Sequence, residues 1–263
     1  MTQEFKDKNE WALILGGSSG LGLASAVKLA KHGLNIFIVY RARKADLAEL
    51  NAAIPVIKES GVQCLSVNID ATRIDRRKDM VSAIAEKMKD GKLKVLVHSI
   101  ARGNLKPMLD NDATLQNQDF HLTLDAMAIS LYDWVRSLYE RKLFAADARV
   151  ISFTSEGNTK AWPNYAAVSV AKVALEAITR SIALEFAPHG IRANCIQAGA
   201  VDTPSFRMIP GSEELKKHSL KRNPYGRLTI PEDVANVVYL LSKEEASWIN
   251  GCIIPVNGGE HLQ

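Results

Sequence analysis

Only three cysteines occur in 263 residues, Cys64, Cys195 and Cys252, and they are far apart with no x-x-Cys spacing. An odd count so dispersed argues against a disulfide framework or a zinc site, and it makes a reducing, cytoplasmic compartment the default. No stretch approaches the ~20 consecutive apolar residues that a membrane-spanning helix needs. The segment Met1 to Asn9 is polar, mixed in charge and without the apolar core of a signal peptide. Strong charge of one sign is missing as well: 33 Lys+Arg against 29 Asp+Glu leave +4. With aromatics at 6% and no basic stripe between them, that balance gives no footprint for nucleic acid. Repeats, low-complexity tracts and linkers are absent. What remains is a globular balance, 47% hydrophobic and 24% charged, at a length that one α/β domain commonly reaches.

Short apolar runs alternate with helical stretches, the pattern of a parallel sheet wrapped by helices. Strands are predicted at Trp11–Leu15, Asn35–Val39, Gln63–Val67, Lys94–His98, Arg149–Phe153, Arg192–Ile196 and Cys252–Val256. Helices are predicted at Gly20–His32 with a stop at Gly33, Ala45–Ser60 with a stop at Gly61, Arg73–Asp90, most of Leu115–Lys142, and Asn164–Ala187. Runs this short and apolar suit strands covered on both faces. The expectation is one doubly wound, Rossmann-type domain spanning 1–263, with seven parallel strands. The three cysteines read as small buried apolar residues of core strands.

Between the first strand and helix stands Gly16-Gly17-Ser18-Ser19-Gly20-Leu21-Gly22. Glycines at these positions permit a tight turn and close backbone approach, so a pyrophosphate can rest on a helix N-terminus. A plain strand-to-helix turn is the other reading of the same run. Asp70, after the third strand, suits either an adenine amino group or the cap of the next helix. The second strand ends Val39-Tyr40-Arg41-Ala42-Arg43-Lys44, without the carboxylate that bonds a 2′-hydroxyl in NAD binders. Arginine suits a 2′-phosphate, which favours NADPH, with Arg41 ahead of Arg43; a solvated basic loop is the alternative.

Tyr165 and Lys172 are seven positions apart in Asn164-Tyr165-Ala166-Ala167-Val168-Ser169-Val170-Ala171-Lys172. Seven residues make about two helical turns, placing both side chains on one face roughly 10 Å apart along the axis. A phenol acts as an acid when its anion is stabilised, and a nearby ammonium can do that. Ser155 precedes Tyr165 by ten residues, where its hydroxyl can reach the same pocket.

With the glycine loop, these residues resemble the short-chain dehydrogenase/reductase family along nearly the whole chain. Further matching landmarks are Asp70, His98-Ser99-Ile100-Ala101, Ala198-Gly199-Ala200-Val201-Asp202-Thr203, and the ending Gly251 to Gly259. Most members have Tyr-x3-Lys, whereas here Ser169 is the fourth residue after Tyr165. Tyr-x6-Lys, His98-Ser99-Ile100 and Ala198-Gly199 resemble the divergent branch, the enoyl-acyl-carrier-protein reductases, in its NADPH-dependent bacterial type. Three departures stand out. Glu156 occupies the place of a second tyrosine found in many enoyl reductases, Thr123 that of an Asn found in many ketoreductases, and Leu15 that of a Thr before the glycine loop.

The resemblance implies NADPH-dependent reduction of a trans-2-enoyl thioester of acyl carrier protein or coenzyme A, by a homotetramer. It implies Tyr165, Lys172 and Ser155 as catalytic residues. NADPH would be held by Gly16, Ser18, Ser19, Gly20, Leu21, Gly22, Arg41, Arg43, Asp70, Ala71, Ser99, Ile100, Ala101, Lys172, Gly199, Val201 and Thr203, with no metal. Pro204–Arg222 reads as a substrate lid, or as an amphipathic surface helix. Its net charge of +3 comes from Arg207, Lys216, Lys217, Lys221 and Arg222 against Glu213 and Glu214, and would attract an acidic carrier. Arg102, directly after His98–Ala101, stands near the expected pocket mouth without an assigned role. The alternatives are an NADPH-dependent 3-oxoacyl ketoreductase or alcohol dehydrogenase, and a non-catalytic NADPH-binding regulator.

Overall fold

Strand β1 (Glu10–Leu15) sits at the centre of the molecule because both of its faces are apolar. Trp11, Leu13 and Leu15 pack on one side and Ala12 and Ile14 on the other, all fully buried. Its partners in a seven-stranded sheet, β2 (Asn35–Tyr40), β3 (Cys64–Asn68), β4 (Lys92–His98), β5 (Phe144–Ser155), β6 (Ile191–Ala198) and β7 (Ile253–Val256), lie in the order β3-β2-β1-β4-β5-β6-β7. Every neighbouring pair is parallel. This computed structural model describes residues 3–110 and 112–263. Met1 and Thr2, which begin the polar N-terminal segment, lie outside the described residues.

Parallel strands need crossovers, and the helices supply them on both faces. Helices α1 (Gly20–Lys31), α2 (Ala48–Glu59) and α9 (Pro231–Ser242) cover the Ile14 side, bringing Leu29, Leu50 and Val238 into its core. Helices α3 (Ile74–Met88), α5 (Ser130–Glu140) and α6 (Ala166–Glu185) cover the Leu13 side through Ile84, Trp134 and Leu175. The expected single doubly wound domain is the architecture found. Among the described residues, no helix is long and apolar enough to cross a membrane.

Several local expectations need correction. The predicted Ala45–Ser60 helix is a one-turn helix at Lys44–Asp46 followed by α2. The Leu115–Lys142 stretch divides into α4 (Asn117–Leu124), a wide turn at Asp125–Ile129 and α5. Thr123 and Ser130 bracket that turn, each donating its hydroxyl to the carbonyl four residues earlier, a contact that loosens helices. Helix α6 starts at Ala166, leaving Tyr165 as the capping residue. Edge strand β3 is half-exposed, since it has a neighbouring strand on one side only. Of the cysteines, only Cys195 is buried; Cys64 is half-buried, and Cys252 is exposed just before β7.

Strand order reverses between β1 and β4, so the loops leaving their C-terminal ends part in opposite directions. A crevice opens there, where open α/β sheets take their ligands. The site is therefore set by topology.

Candidate active site

The glycine loop fills the β1 side of the crevice so closely that side chains are excluded. A Cβ on Gly16 would stand 2.3 Å from the Ser99 carbonyl oxygen, and one on Gly22 2.4 Å from that of Gly16. Gly16 and Gly20 also hold φ of +83° and +55°, the left-handed region that glycine adopts without strain. Behind the loop, α1 begins at Gly20, after a Ser19 N-cap that makes no side-chain capping bond, and has no acidic residue in its first turn. A twelve-residue helix with its positive end open at a crevice suits a pyrophosphate, so the residues present fit a dinucleotide.

An open cleft of about 1080 Å³ runs from this loop to α6. Gly16, Ser19–Leu21, Ser99–Ala101, Gly199, Val201 and Thr203 line it, together with Ser155, Tyr165 and Lys172. Those members of the expected set are brought together. Ser18 and Gly22 belong to the same loop without lining the cleft. Arg41, Asp70 and Ala71 form a rim cluster beyond it, where the Ala71 carbonyl accepts from Trp134 Nε1 at 2.9 Å.

Three successive residues at the end of β5 bond to Tyr165 or to α6. The Phe153 carbonyl accepts from Lys172 Nζ at 2.7 Å, Thr154 donates to Glu176 at 2.6 Å, and the Ser155 and Tyr165 hydroxyls lie 3.4 Å apart. Glu176, buried one turn after Lys172, also accepts from Asn158 at 2.6 Å. Burial raises the Tyr165 pKa and the Ser155 bond offsets only part of that. Lys172 Nζ, bonded to the Phe153 carbonyl, adds nothing to that shift here. Burial in turn brings Lys172 down to about 8. Its neighbour His98 is driven to about 3 by burial and by the Lys172 charge, so its ring is neutral where it meets Ser130 Oγ at 2.8 Å.

At the rim, Asp70 turns its Oδ1 to the Thr72 amide and hydroxyl and its Oδ2 to Arg41 and Arg102. It closes a turn of its own; Arg73, not Asp70, precedes α3. Burial opposes ionisation of Asp70, but the Thr72 bonds and the two arginines outweigh it and hold the carboxyl below its usual range. Arg43 is bound to Asp46 instead, with its side chain 88% exposed. Arg102, which the sequence reading leaves without a role, joins Asp70 at this rim. Its position just past Ser99–Ala101 was the available signal, but not its partner.

Glu156 does not line the cleft. It binds Arg222 at 2.6 Å and Lys160 at 2.7 Å, and Arg222 also reaches Glu260 at 3.3 Å. Arg222 ends α8 (Ser212–Arg222), which follows the short α7 (Pro204–Arg207). The expected cationic lid is thus largely neutralised: Arg207 and Lys216 both pair with Asp202, and Arg222 is buried among carboxylates. Lys217 and Lys221 remain exposed. Thr123 is buried, donating to the Asp119 carbonyl and accepting from the Asn104 amide. Among the described residues, no group of three His, Cys, Asp or Glu is placed to hold a metal.

A family model described as Enoyl-(Acyl carrier protein) reductase matches residues 16–261. The chain is 29% identical over 259 residues to a 7alpha-hydroxysteroid dehydrogenase of Paraclostridium sordellii, covering 98% of this chain and 94% of the relative. It is 27% identical to a 3-oxoacyl-[acyl-carrier-protein] reductase of Staphylococcus epidermidis, covering 97% and 100%. Among solved structures, the enoyl-[acyl-carrier-protein] reductase (NADH) from Aquifex aeolicus superposes with a TM-score of 0.82 at 26% identity, over 97% of each chain. Crevice, glycine loop and full-length relatives agree: the chain belongs to the short-chain dehydrogenase/reductases, nicotinamide-dependent oxidoreductases, in their enoyl-acyl-carrier-protein reductase-like branch.

Proposed function

We propose that the protein reduces the carbon–carbon double bond of a trans-2-enoyl thioester with NADPH. The observation that carries this reading is the Tyr-x6-Lys pair, with the Tyr165 hydroxyl on Ser155 and Lys172 buried behind it. The pyrophosphate would rest on Gly16–Gly22, the nicotinamide ribose on Lys172, and the carboxamide on Val201 and Thr203. Bound NADPH supplies a hydride to the β-carbon. Electrons displaced from the double bond then gather on the thioester oxygen, where Tyr165 donates its hydroxyl proton in a hydrogen bond. The α-carbon then takes a proton from solvent water to complete the reduction, and the thioester carbonyl re-forms. Raised by burial, Tyr165 stays a phenol throughout the neutral range and so remains a donor. Ser155 orients it.

Apolar groups offer the acyl chain a surface: Leu105, Met127, Val168, Phe206 and Ile209 line the same cleft. Helices α7 and α8 act as the lid. The buried Arg222 anchors its far end, while Phe206 and Ile209 lie near its start. The thioester is carried by acyl carrier protein or coenzyme A. A cytoplasmic homotetramer is the working form; Val170 and Val173 of α6, which are partly exposed, support an assembly.

The test is NADPH consumption with crotonyl and acetoacetyl thioesters side by side, repeated with NADH. Faster turnover of the enoyl substrate is expected. Preference for the 3-oxo substrate would replace the reading with the activity named for the Staphylococcus epidermidis relative. Thr123 weighs against that outcome, since its hydroxyl is engaged within its own helix and at Asn104.

A further inference from the structure

Two guanidinium groups converge on one carboxylate oxygen at the rim of the crevice. Arg41, one residue past β2, places Nη1 3.0 Å from Asp70 Oδ2. Arg102, arriving from the other side on the chain that leaves β4, places Nη1 3.0 Å from the same oxygen and 3.2 Å from Thr72 Oγ1. Asp70 has no second oxygen to offer them. Its Oδ1 is taken by the Thr72 amide at 3.0 Å and the Thr72 hydroxyl at 2.6 Å.

One negative charge therefore faces two positive ones, and the cluster carries an excess cation. Both arginine side chains are more than half exposed, at 60% and 53%, so neither is built into the core. Each guanidinium has five N–H donors in a planar fork, and the bonds to Asp70 and Thr72 use Nη1 alone. Two neighbouring arginines are committed elsewhere: Arg43 is on Asp46 and Arg73 is on Asp75. The open forks suit an anion with several oxygens and more charge than one carboxylate. A phosphate monoester, with about −1.5 to −2 charge and three acceptor oxygens, is such a group.

We infer that Arg102 is a specificity-determining residue: with Arg41 it clamps the phosphate monoester on the adenosine ribose, and Asp70 holds both arginines until the nucleotide arrives. This rests on the reading of the crevice as an NADPH site. The exchange makes and breaks only hydrogen bonds and ion pairs. As the arginines turn to the phosphate, Asp70 Oδ2 is freed to accept from an amino group of the base. A nucleotide without the phosphate gives the arginines nothing to turn to, so their charge acts on one cofactor and not the other. Arg43, assigned to this task by sequence, has no part in it.

The experiment titrates adenosine 2′,5′-bisphosphate and 5′-AMP, which differ only in the 2′-phosphate, into the full chain and into Arg102→Met and Arg102→Lys. Arg102→Met is expected to weaken the bisphosphate about tenfold or more and to leave AMP within twofold. Arg102→Lys, which keeps the charge but loses the fork, should fall between the two. An equal loss for both ligands would mean that Arg102 only shapes the rim, and no loss for either would mean that it does nothing there; each overturns the proposal. If the unmodified protein itself does not prefer the bisphosphate, the NADPH reading fails instead, and the proposal with it. No turnover enters these measurements, so they stand apart from the choice of substrate.

Discussion

The two ends of the crevice are built on opposite principles. At the Tyr165 end, polar groups are buried or half-buried and hydrogen-bonded, Lys172 to Phe153, Thr154 and Asn158 to Glu176, Ser155 to Tyr165. At the Asp70 end, charges outnumber partners and stay in contact with water. Burial makes the first end sensitive to pH, because desolvation moves the pKa of every group it encloses. Exposure makes the second end sensitive to salt, because screening acts on charges that water reaches. A site that must hold a proton at one end and attract an anion at the other can place the two demands in different dielectric surroundings.

The largest way to break this contrast is at the proton. Tyr165→Phe should lower kcat on an enoyl thioester by about 10²–10⁴-fold while leaving NADPH affinity nearly unchanged. Turnover within twofold of the unmodified enzyme would remove Tyr165 from the chemistry. Next is the buried ionic anchor. Arg222→Met leaves Glu156 and Glu260 without their shared cation and should cost about 3–5 kcal/mol in urea unfolding. A loss below about 1 kcal/mol would show that the carboxylates simply take up water.

Two smaller effects separate the ends directly. Burial holds Lys172 near 8, so its ammonium form is present below that pH and is lost as pH rises through it. Activity should therefore fall along an alkaline limb centred near 8, while a limb above 10 would mean that Lys172 is not desolvated in the working enzyme. Raising sodium chloride from 0.05 to 0.5 M should weaken adenosine 2′,5′-bisphosphate binding several-fold, as the Debye length shrinks from over 10 Å to a few ångströms. The pH of that alkaline limb should not move with the salt. The smallest effect is expected at Arg43. Arg43→Ala should change neither affinity nor thermal unfolding measurably, since Arg43 touches only exposed Asp46.

The Tyr165 end was largely legible in sequence because its residues are tied to one strand end and one helix start. Ser155, Tyr165 and Lys172 are neighbours along the chain, and helical periodicity brings the last two to the same region. What periodicity could not give was the partner of each group. Lys172 is expected on the face of the phenol and is found bonded to the Phe153 carbonyl, while burial raises the phenol's pKa. The Asp70 end was less legible, since its members come from the ends of three strands, β2, β3 and β4. Arg41 and Arg43 look equivalent on paper, and a local ion pair with Asp46 removes one of them. The lid illustrates the same limit. Its charge of +3 is a sum over a segment, whereas Asp202, Glu156 and Glu260, all outside the segment, cancel much of it in space.

By itself the sequence determined the alternation of strands and helices, the glycines that admit no side chain, and the Tyr165–Lys172 spacing. These are short-range matters, settled by steric exclusion and by the period of each element. Only the tertiary structure decided which charges meet: Arg102 with Arg41 on Asp70, and Arg222 between Glu156 and Glu260. Such pairs join residues that are distant in the chain, and their energy depends on separation and on solvent access, neither of which exists until the sheet has closed its helices around it.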